Sequence, residues 1–325
     1  MKTAFITGGS GFVGRNLIRS LIDAGYAVTG LARSDASARM IQQLGALVVR
    51  GDVLDERALR QGMAGCGAMI HAAADTNHAA GADAAQERVN VEGTRTVFCA
   101  ARNAGVQRAL HISTESVLAD GRPIRMADET APYPRRHAGG YSRTKARAER
   151  AALEEARPGF SVCAIRPRFI WGRDDSTALP QLVEATRTGK LQWIAGGEYL
   201  TSTTHVDNVV VGAIAALERG RTGETYFLTD GAPLPFRTFV SELLRTQGVE
   251  PPTRSVPRWA VRALVGFGAL VQRVSGGSIR PMMSAQEYAT VAHEVTVNDT
   301  KARRELGYAP AMTIERGMAE LRSRR

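Results

Sequence analysis

From residue 3 to residue 166 the chain alternates between two hydrophobic rhythms. Short apolar runs rich in β-branched residues stand at 3–7, 27–31, 47–50, 68–71, 108–113 and 161–166. Several are stopped by glycine or proline, as buried strands of a parallel sheet are. Between them the apolar positions recur every three or four residues. Val13, Leu17, Ile18, Leu21 and Ile22 share one helical face and Gly25 ends it; further helices are expected over 55–63, 84–103 and 141–157. Strand and helix in strict alternation predict an α/β fold with a doubly wound parallel sheet of the Rossmann type.

The second half is less regular. Helices are expected over 179–188, 206–217, 236–246, 257–274 and 298–306 and from 314 onward, with a strand at 225–228. This divides the chain into a dinucleotide-binding domain, 1–170, and a smaller α/β substrate-binding region, 171–325. Residues 205–229 are expected to return to the first domain.

Composition narrows the class. Hydrophobic residues make up 44% of 325, enough for a large core. No apolar run reaches the ~18 residues of a membrane span, and a strand starting at residue 3 leaves no room for a signal peptide. Cys66, Cys99 and Cys163 are far apart and form no CxxC, which suits reduced thiols in the cytoplasm. The net charge of +10 comes from 42 Lys and Arg against 32 Asp and Glu. These residues are scattered and no aromatics interleave with them, so a basic surface attracting an anionic cofactor is favoured over nucleic-acid binding. No metal site is indicated.

The first turn carries the first chemistry. Gly8, Gly11 and Gly14 are spaced to turn tightly after the strand, admit a pyrophosphate to bare backbone and let the helix pack close. The helix N-terminus adds unpaired N–H groups for the phosphates. Phe12 and Val13, in the same turn, are assigned with these glycines to the cofactor site. After the second strand stand Arg33 and Ser34, where an NAD-preferring site carries an acid; they favour NADP(H) over NAD(H) through a 2′-phosphate contact. Asp52 ends the third strand, placed either to meet adenine or to cap the next helix. Ala72, Ala73 and Ala74 follow the fourth strand, small enough for close approach of the cofactor. His71 reads as a packed strand-end histidine. Asn90 lies inside a helix, locally unfavourable, which points to a specific bonding role.

Tyr141 and Lys145 fall at i and i+4 at the start of a helix and share a face. A cation beside a phenol lowers its pKa, so Lys145 is expected to lower that of Tyr141 and ready it for proton transfer to or from an alcohol oxygen. The Thr114 hydroxyl, at a strand's C-terminal end, is placed to hold the same oxygen.

In order, TGGSGFVG, Gly51-Asp52-Val53, IHAAA, NVEGT, HISTESV, YSRTK, RPRFIWG, HVDN and KARRELGYAP resemble the extended short-chain dehydrogenases/reductases, within the epimerase/dehydratase superfamily. RPRFIWGRDDS and the apolar helix near residue 265 make the chain most similar to the 3β-hydroxysteroid dehydrogenase-like branch. The resemblance implies Tyr141 as acid/base, Lys145 on the nicotinamide ribose, Thr114 on the substrate oxygen and Asn90 as a structural and relay residue. It also implies Pro167 at the nicotinamide, Asp52 and Val53 at the adenine, and a homodimer.

The sequence departs from the pattern in two places. Val117-Leu118-Ala119 replaces the common VYG, and Thr114-Glu115-Ser116 replaces the Thr-Asp-Glu of dehydratases. The second departure argues against a dehydratase. The leading expectation is an NAD(P)-dependent oxidoreductase interconverting a secondary alcohol and a ketone on an apolar, steroid-like substrate. A nucleotide-sugar epimerase and a non-catalytic NAD(P)-binding sensor or structural subunit are the alternatives. The helix 257–274 is expected to line the substrate cleft, lie on a membrane surface or pack as core.

Overall fold

The computed structural model describes residues 2–76, 83–275 and 281–324. Seven parallel strands form its central sheet: β1 (Lys2–Thr7), β2 (Tyr26–Ala32), β3 (Leu47–Arg50), β4 (Ala68–His71), β5 (Arg108–Ile112), β6 (Ser161–Pro167) and β7 (Thr225–Leu228). Their spatial order is β7-β6-β5-β4-β1-β2-β3. The order reverses between β1 and β4, where Ala4 pairs with Ala68 and Thr7 with His71. A crevice at the carboxyl ends of these two strands is where such sheets place ligands.

The sheet is buried on both faces, and successive residues of β1 show it. Ala4 and Ile6 join Leu17, Ile18 and Leu21 of the helix Phe12–Asp23 and Val209 and Ala213 of the helix Val206–Arg219. Phe5, between them, points the other way, to Leu59 and Met63 of the helix Glu56–Met63 and to Val97 and Phe98 of the helix Gly93–Asn103. The period of two dictates this split. It explains why these strands read as continuous apolar runs. Each fully buried leucine or isoleucine contributes roughly 1.5–3 kcal/mol.

Residues 205–229 supply both the helix Val206–Arg219, packed on β5 and β6, and β7 at the sheet edge, where Thr225 pairs with Ala164. A separate core gathers Trp171, Trp193, Phe236, Phe239 and Leu243 with Met318 and Leu321 of the C-terminal helix Ile314–Ser323. Among the described residues no helix is long and apolar enough to cross a membrane.

Three local readings need correction. The stretch 120–140, rich in Gly, Pro and charge, reads from its composition as a long loop, but Ile124–Ala127 within it is a strand paired with Val295–Val297. That partner lies so far along the chain that no local pattern announces it. The stretch 84–103 is not one α-helix: a π-turn, Glu87–Glu92, interrupts it and contains Asn90. Asp52 does not cap the helix after β3; Asp55 does, accepting from Ala58 N at 3.0 Å.

Candidate active site

The glycine turn after β1 is shaped by contacts that exclude side chains. Gly8 has φ of 72°, and a Cβ there would lie 2.6 Å from the backbone of Ala72 and Ala73. A Cβ on Gly14 would lie 2.0 Å from the Gly8 carbonyl oxygen. Gly11 is different: a Cβ would meet only the Gly8 oxygen, at 3.3 Å, so that side of the turn is open. Gly11 is also the N-cap of the helix Phe12–Asp23 and offers it no side-chain cap. The first-turn N–H groups therefore suit an anion, and a dinucleotide diphosphate fits this cradle. Phe12 is buried and Val13 packs against the core. Both hold the turn by their side chains.

At the far end of the crevice Arg33 is 79% exposed, its Nη1 4.0 Å from Asp52 Oδ2. Ser34 has a second task. Its hydroxyl accepts from Ser37 N at 3.2 Å and closes a capping box on the helix Asp35–Gln43. Val53 is a core residue beside Phe5 and Leu59. Ala74 faces the main cavity, whereas Ala73 donates its N–H to Thr7 Oγ1 at 3.3 Å and Ala72 packs on the core.

A buried polar column runs beneath these loops. Thr94 Oγ1 donates to Asn90 O at 2.5 Å, so it must accept from His71 Nε2 at 2.9 Å. That leaves His71 Nδ1 to accept from Thr7 Oγ1 at 2.6 Å. His71 is thus a neutral strut between the ends of β1 and β4 and the π-turn. The π-turn in turn aims the Asn90 amide. Its Oδ1 accepts from Asp75 N at 2.7 Å, and its Nδ2 donates to Asp75 O at 3.0 Å and Thr144 Oγ1 at 3.2 Å. Asn90 ties the loop after β4 to the helix Gly140–Leu153, a bonding role that explains an asparagine within a helix.

Burial, and then the Lys145 charge, push His71 down to about 3. His111, its ring 5.5 Å away, is driven well below 6.5 by burial, by Lys145 and by His71. The unfolded chain takes up two protons below 6.5 that the folded chain refuses. Stability is therefore fully present above pH 6.5 and is lost as pH falls from there toward 3. At pH 5 His71 should cost about 2 kcal/mol of stability relative to pH 7.5, and His111 adds to the loss in the same direction. Urea midpoints at the two pH values measure this. Equal midpoints would show that the two imidazoles titrate normally in the fold.

The reactive groups converge at the start of the helix Gly140–Leu153 and the end of β5. Burial first and the Glu115 charge second raise the Tyr141 pKa, and the Thr114 hydroxyl pulls it the other way. Lys145 is fully buried. Its Nζ donates to Ile112 O at 2.8 Å and lies 3.4 Å from His111 Nε2. Burial lowers it to about 8, with Glu149 opposing. The expected lowering of Tyr141 by Lys145 is thus not found. The ammonium is turned onto the β5 carbonyl, while the nearest influential charge on the phenol is a carboxylate. Tyr141 is held as a protonated phenol.

Four side chains outside the expected set complete the arrangement. Glu115 is buried, accepts from Thr114 Oγ1 at 2.8 Å and receives Arg168 Nη1 at 3.0 Å. Arg168 and Arg166 flank the buried Pro167, and Arg166 Nε and Nη2 grip Glu149 at 2.9 and 2.6 Å. One arginine therefore braces Thr114 and the other braces the Tyr141 helix. Gln286 Oε1 accepts from Ser142 Oγ at 2.6 Å and Ser142 N at 3.2 Å, capping a helix whose own N-cap, Gly139, has no side chain. The two arginines stand in the RPR motif, but their carboxylate partners were not legible there, and nothing in the sequence pointed to Gln286.

Tyr141 opens onto a cavity of about 990 Å³. Arg33 and Ala74 line it at one side, and Val265, Gln272 and Met283 at the other. The apolar helix Arg258–Val274 is divided between two tasks: Val265 and Ala269 face the cavity, while Trp259, Phe267 and Leu270 are exposed.

Residues 5–258 match the profile of the 3-beta hydroxysteroid dehydrogenase/isomerase family. The chain belongs to that family. It is 48% identical over 322 residues to a 4-hydroxy-2-methyl-3-oxo-4-farnesyl-3,4-dihydroquinoline-1-oxide ketoreductase of Stigmatella aurantiaca, covering 99% of this chain and 96% of the relative. It is 32% identical over 333 residues to a decarboxylating sterol-4-alpha-carboxylate 3-dehydrogenase of Dictyostelium discoideum, covering 99% and all of that protein. Its fold is shared with a dTDP-glucose 4,6-dehydratase of Streptomyces venezuelae solved with NAD: TM-score 0.75, 24% identity, 98% of this chain and 95% of that one. In this 3-beta hydroxysteroid dehydrogenase/isomerase family member, Thr114, Tyr141 and Lys145 meet at the sheet's carboxyl edge.

Proposed function

We propose that this chain is an NAD(P)-dependent oxidoreductase that interconverts a ketone and a secondary alcohol on a largely hydrocarbon substrate. The carrying observation is Tyr141, whose phenol senses the Thr114 hydroxyl and lines a large cavity to which Val265, Ala269 and Met283 add apolar surface. The two relatives named above take a farnesylated oxo-dihydroquinoline and a sterol carboxylate, both bulky and carbon-rich.

Residues 1–170 with 205–229 serve the cofactor, and the remainder of 171–325 serves the substrate. The nicotinamide, when bound, supplies or accepts the hydride. The chain's own groups do the rest. Gly8, Gly11 and Gly14 admit the diphosphate, and Asp52 borders the adenine. Lys145, which donates to the Ile112 carbonyl at 2.8 Å, would hold the nicotinamide ribose. Tyr141 Oη gives its proton to the carbonyl oxygen in reduction and recovers it in oxidation. Thr114 orients that oxygen, with Glu115 and Arg168 fixing its rotamer.

Net oxidation of NADPH by a panel of apolar ketones tests this reading. A nucleotide-sugar epimerase would turn over with no lasting change in cofactor absorbance, and a sensor would not turn over. The cofactor preference has its own test. Arg33 stands at the cavity where a 2′-phosphate needs a cation, so Arg33→Ala should weaken NADPH at least ~10-fold, the scale of one charge-assisted hydrogen bond, and leave NADH nearly unchanged. Fluorescence titration reads both; equal losses would remove the 2′-phosphate assignment.

A further inference from the structure

The run Thr114-Glu115-Ser116, where the chain departs from the dehydratase pattern, is buried throughout. A threonine hydroxyl has one proton to give and two lone pairs to offer. Thr114 gives its proton to Glu115 Oε2 at 2.8 Å. One of its lone pairs accepts from Ser116 N at 3.2 Å and caps the short turn Glu115–Leu118. One lone pair is left, and no proton. The far side of the carboxylate fixes this direction. Glu115 Oε1 accepts from Arg168 Nη1 at 3.0 Å and from Ser116 Oγ at 3.2 Å. Arg168 is itself anchored, its Nη2 donating to Thr290 O at 2.8 Å. A carboxylate held by a guanidinium can only accept, so the threonine has to donate.

We propose that Glu115 is a positioning residue that makes Thr114 a hydrogen-bond acceptor toward the substrate, so that the site selects an alcohol oxygen over a ketone oxygen. The proposal rests on the oxidoreductase reading above for the place of that oxygen, between Thr114 and Tyr141. An alcohol oxygen there accepts from the Tyr141 phenol and gives its own proton to the remaining lone pair of Thr114. Each polar group is then paired. A ketone oxygen also accepts from Tyr141, but it sets a lone pair against the lone pair of Thr114, and neither is satisfied. A threonine released from Glu115 would turn its proton toward the ketone, and the carboxylate prevents that. None of this moves the equilibrium of the reaction, which no catalyst changes. It acts on the two bound states, holding the alcohol more tightly and releasing the ketone more readily.

Complexes that cannot react read this preference directly. With oxidised cofactor bound, octan-2-one cannot be reduced, and 2-methyloctan-2-ol has no carbinol hydrogen to lose. Calorimetric titration gives the dissociation constant of each. The wild-type chain should bind the alcohol at least ~10-fold more tightly than the ketone, the scale of one hydrogen bond made against one opposed. Glu115→Gln keeps the shape and reverses the polarity. Arg168 and Ser116 hold the amide oxygen where Oε1 stands, so the amide nitrogen faces Thr114 and donates to it. Thr114 is then free to give its proton to a ligand. The preference for the alcohol should fall at least ~10-fold. The extra methyl group of the alcohol meets the same cavity in both proteins and cancels in this ratio.

A wild-type chain that binds the ketone as tightly as the alcohol would overturn the proposal, whether or not the variant folds. So would a Glu115→Gln variant that loses affinity for both ligands equally, the mark of a merely structural carboxylate. Either result beside NADPH oxidation by ketones leaves the oxidoreductase reading standing. Binding of neither ligand, with no ketone reduced, would remove both.

Discussion

Tyr141→Phe should leave folding and cofactor binding close to wild type and lower turnover by on the order of 10²–10⁴, the range of general acid–base catalysis. The ring and its packing survive; only the exchangeable proton is lost. Two controls separate chemistry from architecture. Thr114→Ser keeps the hydroxyl that bonds Glu115 Oε2 at 2.8 Å and should retain activity, whereas Thr114→Ala should not. Lys145→Ala should lose turnover and cofactor affinity together. Its ammonium is held in the protein's interior at a lowered pKa of about 8, where it is ready to exchange one oxygen partner for another. Turnover at saturating cofactor, beside a binding titration, is the deciding measurement. Near-normal turnover in Tyr141→Phe would end the proton-transfer assignment.

Arg166→Met should destabilise the fold by about 3–5 kcal/mol, the cost of leaving a buried partner charge uncompensated. Arg166 and Glu149 are 3% and 0% exposed in their side chains, and Tyr133 closes the same cluster from the 120–140 segment. Glu149 sits one turn beyond Lys145, so the break loosens the helix that carries Tyr141. The double replacement Arg166→Met with Glu149→Leu removes both charges and should recover much of the loss. Urea unfolding of the two variants and the wild type measures the pair. A single variant within about 1 kcal/mol of wild type would show that water reaches Glu149 and solvates it.

How far the site could be read in advance follows from how local its causes are. Gly8, Gly11 and Gly14 were legible because a tight turn, an open approach and a close helix contact each forbid a side chain at a fixed spacing. The inner sheet strands were legible because burial on both faces leaves little but apolar residues in them; β3, at the sheet edge, is less buried, with Leu47 71% exposed. Tyr141 and Lys145 were legible as a pair because helical geometry puts i and i+4 on one face. Their electrostatics were not. The i, i+4 rule says that two side chains are neighbours, and says nothing of the β5 carbonyl that holds Lys145 or of Glu115 beneath the phenol.

The same limit separates the other residues. Asn90 looked wrong for an α-helix, and it was: the π-turn turns its amide toward Asp75 and Thr144. Ser34 looked free for a ligand, yet its hydroxyl caps a helix that the sparse apolar pattern of 35–43 scarcely marks. Ile124–Ala127 is a strand only because Val295–Val297 pairs with it. Gln286 caps the Tyr141 helix from the opposite end of the chain.

The sequence by itself determined the α/β order, the glycine turn after β1 and the presence of a phenol, a lysine and a threonine at the carboxyl edge. Those follow from steric limits and periodicities that act over a few residues. The tertiary structure alone decided the direction in which the Tyr141 pKa shifts, the resting partners of Lys145, the braces from Arg166, Arg168 and Gln286, and which side of the helix Arg258–Val274 meets solvent. Desolvation and Coulomb interactions depend on what is packed within a few ångströms, whatever its distance along the chain.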